Sequence, residues 1–219
     1  METLTKHGFY IVGEGNDGTG KSTQINLLAK YFEKEYGLET YTMHEPDGCL
    51  ISSEIRTILK NGSLERDAVT NLLLFTASRH ETWFREAMPV LENGGVVLSA
   101  RSYLSSLMYQ GLAEGLGMQY VQEVTAAFMN ERYMTPDLTV IFELEDKLRN
   151  ERIGARGQLA NPDTFESQGD SYQAAVNGGY KQIAADQDFA VINAGKSIEV
   201  VQRNFRRLAI RAMVGRALQ

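Results

Sequence analysis

Cysteine is almost absent from this 219-residue sequence, and Cys49 stands alone. That rules out an internal disulfide framework and fits a reducing compartment. No stretch approaches the run of about 18 apolar residues that a membrane helix needs. The N-terminal METLTKHGFY lacks the layout of a secretory leader, so the chain is expected to stay in the cytoplasm and off membranes. There is no long basic block, and the formal net charge is −6. A nucleic-acid polymer is therefore not an expected partner. A mononucleotide is still possible, because a few placed arginines hold one phosphate even on an acidic protein. Internal repeats and low-complexity linkers are missing too, and the length fits one domain, or at most two.

What is present reads as an ordinary globular protein, with 43% apolar and 23% charged residues. Short apolar runs alternate with helical patterns. FYIVG, TYTMH, GVVLSA, LTVIFEL and DFAVINA read as strands bounded by turn or polar residues. Residues 21–36, 67–91, 104–133, 171–186 and 197–217 carry apolar side chains at helical spacing. Alternating strand and helix predicts an α/β protein with a parallel sheet covered on both faces. The third strand, nearly all apolar, suits a central position. Residues 154–168, GARGQLANPDTFESQ, break the pattern and read as a surface loop or a mobile lid. Leu72, Leu104, Leu107 and Met108 are candidates for core or for a subunit interface, and periodicity alone leaves both open.

The stretch GEGNDGTGKST follows the first strand directly. Gly15-x4-Gly20-Lys21-Ser22 has the spacing of a P-loop, set between a predicted strand and a predicted helix. Its glycines permit positive backbone torsions and close approach, so that several N–H groups converge on phosphate oxygens. On this reading Gly15, Asn16, Asp17, Gly18, Thr19, Gly20, Lys21, Ser22 and Thr23 hold ATP. Lys21 bridges the β- and γ-phosphates, and the Ser22 hydroxyl ligates Mg²⁺. The helix beginning near Lys21 adds its positive end. A P-loop alone does not separate kinase from hydrolase, motor or switch.

The rest of the chain narrows the choice. GEGNDGTGKST, HEPDG (44–48), LLFTASR (73–79), ARSYLSSLMYQG (100–111) and PDLTVIFEL (136–144) occur in the order and spacing of the thymidylate kinases. RIGARGQLANPDTFE, followed by YQAAVNGGYKQIA, resembles that family's lid and the helix after it. The resemblance covers most of the chain. It implies a three-layer P-loop kinase fold, with a five-stranded parallel sheet flanked by helices and a lid at about 149–168 of a single domain, 1–219. It also implies transfer of the ATP γ-phosphoryl group to thymidine 5′-monophosphate, with ATP and Mg²⁺ bound, in a homodimer.

The same resemblance assigns roles to residues. Phe75 stacks on the pyrimidine and Arg79 donates to its O4. Arg101 holds the acceptor phosphate. Ser106 lies at the base edge, Tyr109 lies beneath the sugar, and Asp17 accepts from the sugar 3′-hydroxyl. His44, Glu45 and Gln110 complete the acceptor site. With Gly18 inside the P-loop, the arginine for the transferring phosphoryl falls to the lid, where Arg152 and Arg156 match best and Arg149 shares their spacing. Five positions depart from the family: His44, Ser78, Ala100, Ser102 and Thr164. They leave two alternatives open. One is a kinase for deoxyuridine monophosphate or a 5-substituted form; the other is a nucleotide-binding relative with weakened catalysis and a regulatory role.

Overall fold

Five apolar runs pair into one parallel sheet. The computed structural model describes residues 8–155, 164–165 and 168–217. Strands β1 (Phe9–Glu14), β2 (Thr40–His44), β3 (Val96–Ala100), β4 (Leu138–Glu143) and β5 (Ala190–Asn193) lie in the order β2-β3-β1-β4-β5. β1 takes the middle and β3 sits beside it. Both are buried along their whole length, which is why they read as unbroken apolar runs. The chain leaves β1 toward β3 on one side and β4 on the other, so the crevice at the carboxyl ends of these strands is a switch point. Gly13 and His44 both pair with Ala100, which brings the ends of β1, β2 and β3 level.

Alternation along β1 assigns its two faces. Phe9 and Ile11 pack with Ile25, Leu28 and Phe32 of α1 (Lys21–Tyr36) and with Val201, Phe205 and Ala209 of α10 (Ile198–Ala217). Tyr10 and Val12 face the opposite layer, where Trp83, Leu91 and Tyr133 close the core. That layer holds α3 (Ala68–Thr82), α4 (Met88–Glu92), α5 (Tyr103–Ser106), α6 (Met118–Phe128), α7 (Glu131–Met134) and α9 (Asp170–Asp186). Leu72, Leu104, Leu107 and Met108 are buried in it beside Val176 and Tyr180, so they are core.

Three departures from the expected helices have physical causes. The stretch 67–91 runs as α3, then a π-helical turn, Trp83–Ala87, then α4. The stretch 104–133 is interrupted: α5 passes into a π-helical segment, Leu107–Ala113, and the chain turns at Gly115 and Gly117, with φ of 81° and 87°, before α6. Third, α2 (Leu50–Lys60) was not visible as a helix. Ile51, Ile55, Ile58 and Leu59 do recur at helical spacing, but the run is only 11 residues long and only Ser52 and Leu59 are buried. α8 (Asp146–Ala155) fills the first part of the expected lid.

Phe205 anchors α10. It is fully buried and meets Phe142 edge-on, with ring centroids 5.2 Å apart. Phe205→Ala is expected to cost about 3–5 kcal/mol in chemical denaturation. A loss below about 1 kcal/mol, the size of a mild core change, would mean that this helix is not docked through Phe205.

Candidate active site

The loop after β1 is shaped by backbone torsions. Gly15, Gly18 and Gly20 have φ of 135°, 86° and 85°. A Cβ on Gly15 would lie 2.4 Å from the carbonyl oxygen of Phe142, so the loop at that point admits only glycine. No side chain caps the first turn of α1. Its amides are thus suited to an external acceptor, as at other phosphate-binding helix starts. Lys21 folds back over the loop, with Nζ donating to the Asn16 carbonyl at 2.8 Å. Asn16 ties the loop to the opposite layer. Its Oδ1 accepts from the Asp17 amide and from Tyr109 OH, and its Nδ2 donates to Gln173 and Asn177 of α9.

Arg101 follows β3 with φ of 85°, an uncommon torsion for a residue with a side chain. Such a torsion costs roughly 1–3 kcal/mol and persists only where its surroundings fix it. Here the Arg101 amide donates to the Gly13 carbonyl at 3.0 Å, and its guanidinium pairs with Asp17, donates to Ser105 Oγ and covers the Tyr109 ring. The next residues are held by Glu14, which is fully buried. Its carboxylate accepts from the Ser102 amide and hydroxyl, the Ser105 amide and hydroxyl, and Tyr180 OH. Burial acts to raise the pKa of Asp17, but Arg101 and Lys21 outweigh it and hold the carboxyl well below the usual range.

A second charged pair lies deeper. Arg79 donates through Nε and Nη2 to Glu45 Oε2, at 3.1 and 3.0 Å, and through Nη2 to Ser106 Oγ at 3.2 Å. Tyr133 OH donates to the other Glu45 oxygen at 2.7 Å. Burial pushes the Glu45 pKa up against the pull of Arg79 and the Tyr133 hydrogen bond. Arg79 Nη1 is buried and has no hydrogen-bond partner. An orphaned buried donor of this kind costs about 1–3 kcal/mol, so this one is unusual.

All nine expected acceptor-site residues line one cleft of about 330 Å³: Asp17, His44, Glu45, Phe75, Arg79, Arg101, Ser106, Tyr109 and Gln110. From the P-loop, Gly18, Gly20, Lys21, Ser22 and Thr23 line the same cleft, while Gly15, Asn16 and Thr19 do not. His44 Nε2 meets Asn26 Oδ1 at 3.1 Å, and burial lowers the ring's pKa. Arg152 stands at the outer side of the loop, donating to the carbonyls of Gly18 and Ala194. Arg149 turns inward to Gln173 and Asn150. Arg156 lies outside the described residues.

The cleft also contains residues that sequence reasoning passed over. Arg56, Leu59 and Lys60 reach it from α2, and Phe165 packs against Phe75 and Tyr109, with ring centroids 5.5 and 6.1 Å away. Arg56 was missed because its helix was. No group of three or more His, Cys, Asp or Glu side chains gathers to hold a metal among the described residues. A divalent cation here would rest on phosphate oxygens and the Ser22 hydroxyl, a donor set that suits Mg²⁺.

The family model for thymidylate kinase matches residues 14–205. A thymidylate kinase of Symbiobacterium thermophilum is 35% identical over 202 residues, covering 91% of each chain. One from Caldicellulosiruptor saccharolyticus is 34% identical over 177 residues, covering 81% of this chain and 83% of its own. Among solved structures, thymidylate kinase from Ehrlichia chaffeensis superposes with a TM-score of 0.72 at 24% identity, covering 92% of this chain and 98% of its own.

The Asp17–Arg101 pair predicts an acid-side signature. The folded-state pKa of Asp17 is depressed, so its contribution to stability is present above about pH 4 and is lost as the pH falls toward the depressed value. Asp17→Asn should be less stable than wild type at pH 7, and the gap should narrow below about pH 4. Thermal melts from neutral to acid pH check this. A gap that stays constant would show that the pair carries no linked proton.

Proposed function

The chain belongs to the thymidylate kinase family, and from that premise we propose that ATP sits with its phosphates in the 15–23 loop while thymidine monophosphate fills the cleft beyond it. The protein is a nucleoside monophosphate kinase that makes the diphosphate from thymidine monophosphate and ATP. Relatives named thymidylate kinase match most of the chain, which favours neither a changed acceptor nor a regulatory protein with weakened catalysis.

The observation that carries the placement is Arg79. Glu45 fixes its guanidinium, Ser106 lies against Nη2, and Nη1 is left as a buried donor without a partner. The O4 of a thymine stacked on Phe75 supplies the missing acceptor. Cytosine presents an amino donor at that position and leaves the orphan unsatisfied. The monophosphate then extends toward Arg101, and the sugar 3′-hydroxyl toward Asp17, over Tyr109.

Transfer is in line, and the chain's part is positioning and electrostatics. Lys21 exchanges the Asn16 carbonyl for β- and γ-phosphate oxygens. Arg101 neutralises the acceptor phosphate. Arg152 already donates to the Gly18 carbonyl, and the stem of Arg149 packs beside Gly18. The Ser22 hydroxyl would help to hold Mg²⁺, which would supply further charge neutralisation when bound. We take 1–219 as a single domain whose lid, about 149–168, closes over the phosphates and excludes water, with Arg152 and Arg156 as its candidate arginines.

Leu73, Leu112, Tyr120 and Phe128 are exposed on the α3 and α6 side of the sheet, which supports a homodimer through that side. Among the described residues no helix is long and apolar enough to cross a membrane. The lone cysteine supports a cytoplasmic setting.

An ATP-coupled assay across deoxynucleoside monophosphates tests the acceptor, with thymidine monophosphate expected to be fastest. Lys21→Ala is expected to lower turnover by about 10²–10³ while the fold stays intact. Unchanged turnover would take the P-loop lysine out of the mechanism. Arg79→Lys keeps a cation beside Glu45 but loses the fork that reaches the base. It should weaken use of thymidine monophosphate by about 1–3 kcal/mol. If ATP affinity fell instead, the base would not lie at Arg79.

A further inference from the structure

Glu114 stands in the bend after the π-helical segment, and its carboxylate gathers three donors. Gln110 Nε2 reaches it at 3.1 Å, Tyr172 OH of α9 at 3.0 Å, and Asn71 Nδ2 of α3 at 3.4 Å. Gln110 is buried, lines the cleft and lies four residues beyond Ser106, whose hydroxyl touches Arg79. A primary amide has one accepting end and one donating end, and turning it over changes almost nothing in shape. A carboxylate only accepts. Glu114 therefore holds the nitrogen end of Gln110 and leaves Oε1 as the end turned away from it.

The neighbouring amide is fixed by the same logic. Arg66, which only donates, gives Nε to Asn71 Oδ1 at 3.1 Å and reaches Thr164 Oγ1 with Nη2. Asn71 must then offer its nitrogen to Glu114. Each amide in this chain is oriented by a charged group that can act in only one sense.

We propose that Glu114 is a specificity-determining positioning residue. By fixing Gln110 with its oxygen toward the acceptor base, it selects pyrimidines that carry N–H at ring position N3 and rejects those with a bare N3. Thymine and uracil belong to the first class, cytosine to the second. The inference rests on the base placement proposed above. Arg79 as donor and Gln110 as acceptor then read adjacent positions of one base edge, and each rejects cytosine independently.

Acceptor discrimination in Glu114→Gln tests this. The variant is close in shape, but its amide both donates and accepts, so Gln110 is free to turn over. The ratio of kcat/KM for thymidine monophosphate over deoxycytidine monophosphate should fall at least about tenfold, through loss on the first and gain on the second. Tyr172→Phe removes a different donor and leaves the Gln110 amide held, so it should keep the wild-type ratio. Should Glu114→Gln fail to fold, Glu114→Ala removes the acceptor and serves the same comparison. A ratio within about twofold of wild type in a folded Glu114 variant overturns the proposal. Equal proportional losses on both acceptors, as a merely structural role would give, overturn it too. A wild-type enzyme that did not prefer thymidine monophosphate would overturn the base placement itself, a result distinct from failure of Glu114 alone.

Discussion

The Glu14 carboxylate is the point at which the layers of this protein are tied together at the site. It ends the central strand, is wholly buried, and has donors on every side. Backbone amides of Ser102 and Ser105 reach it from the turn after β3, and Tyr180 reaches it from α9. A buried anion is tolerated only when its oxygens are fully engaged, so these three elements cannot shift independently. Arg101 sits directly between the strand and this capped turn. Its left-handed torsion is held on one side by the Gly13 carbonyl and on the other by the Ser102 anchor. The Arg101 side of the cleft is thus positioned by the residue that precedes the 15–23 loop.

Around that anchor the charges come in pairs that are already assembled. Arg101 meets Asp17 near the mouth of the cleft, and Arg79 meets Glu45 below it. Removing one member of a buried pair such as Arg79–Glu45 costs about 3–5 kcal/mol because the other charge is stranded, and the more exposed Arg101–Asp17 pair carries less. The pairs therefore keep their side chains in place before any nucleotide arrives. That is the economy of a preorganised electrostatic site: little has to reorganise when charge develops on the phosphoryl group. Some bonding capacity is left over, most plainly at Arg79 Nη1, which is buried without a hydrogen-bond partner.

Much of this was legible in the sequence, and the limits are physical. The five strands and the P-loop could be read because a buried parallel sheet and a phosphate loop each demand residue types at fixed spacing. Helix α1 was equally plain, with apolar residues at the helical period and a glycine after its end. α2 carries Ile51, Ile55, Ile58 and Leu59 at helical spacing, but over only 11 residues the run did not stand out, and Arg56 was missed with it. The π-helical turns were invisible because nothing in composition separates an i→i+5 turn from an α-helical one. Phe75, Arg79, Ser106 and Tyr109 carried no decisive local signal. They stood out only through resemblance, and their shared cleft is a fact of the fold. Glu114 could not be found from sequence at all, since its meaning lies in which end of an amide it holds.

The departures from the family pattern become intelligible in this setting. Ser102, where an aromatic residue or histidine is usual, donates its hydroxyl to Glu14 at 2.9 Å. Ser78, in place of an aspartate, donates to the Pro46 carbonyl at 2.8 Å, and Thr164, in place of a lid arginine, accepts from Arg66 at 3.2 Å. His44 meets Asn26. A site decaying under no constraint would leave buried polar groups unmatched, each at a cost of about 1–3 kcal/mol. Ser102, Ser78 and Thr164 are instead built into hydrogen bonds with residues that belong to the scaffold, whereas His44 keeps Nδ1 buried without a partner. Ala100 is the exception, a small apolar side chain lining the cleft where the family has a carboxylate. Glu14 already satisfies the adjoining turn, so Arg101 keeps its anchor without that carboxylate. Under the proposed placement the substitution bears on the phosphate and metal side of the reaction, where phosphate oxygens would supply most of the ligands that Mg²⁺ needs.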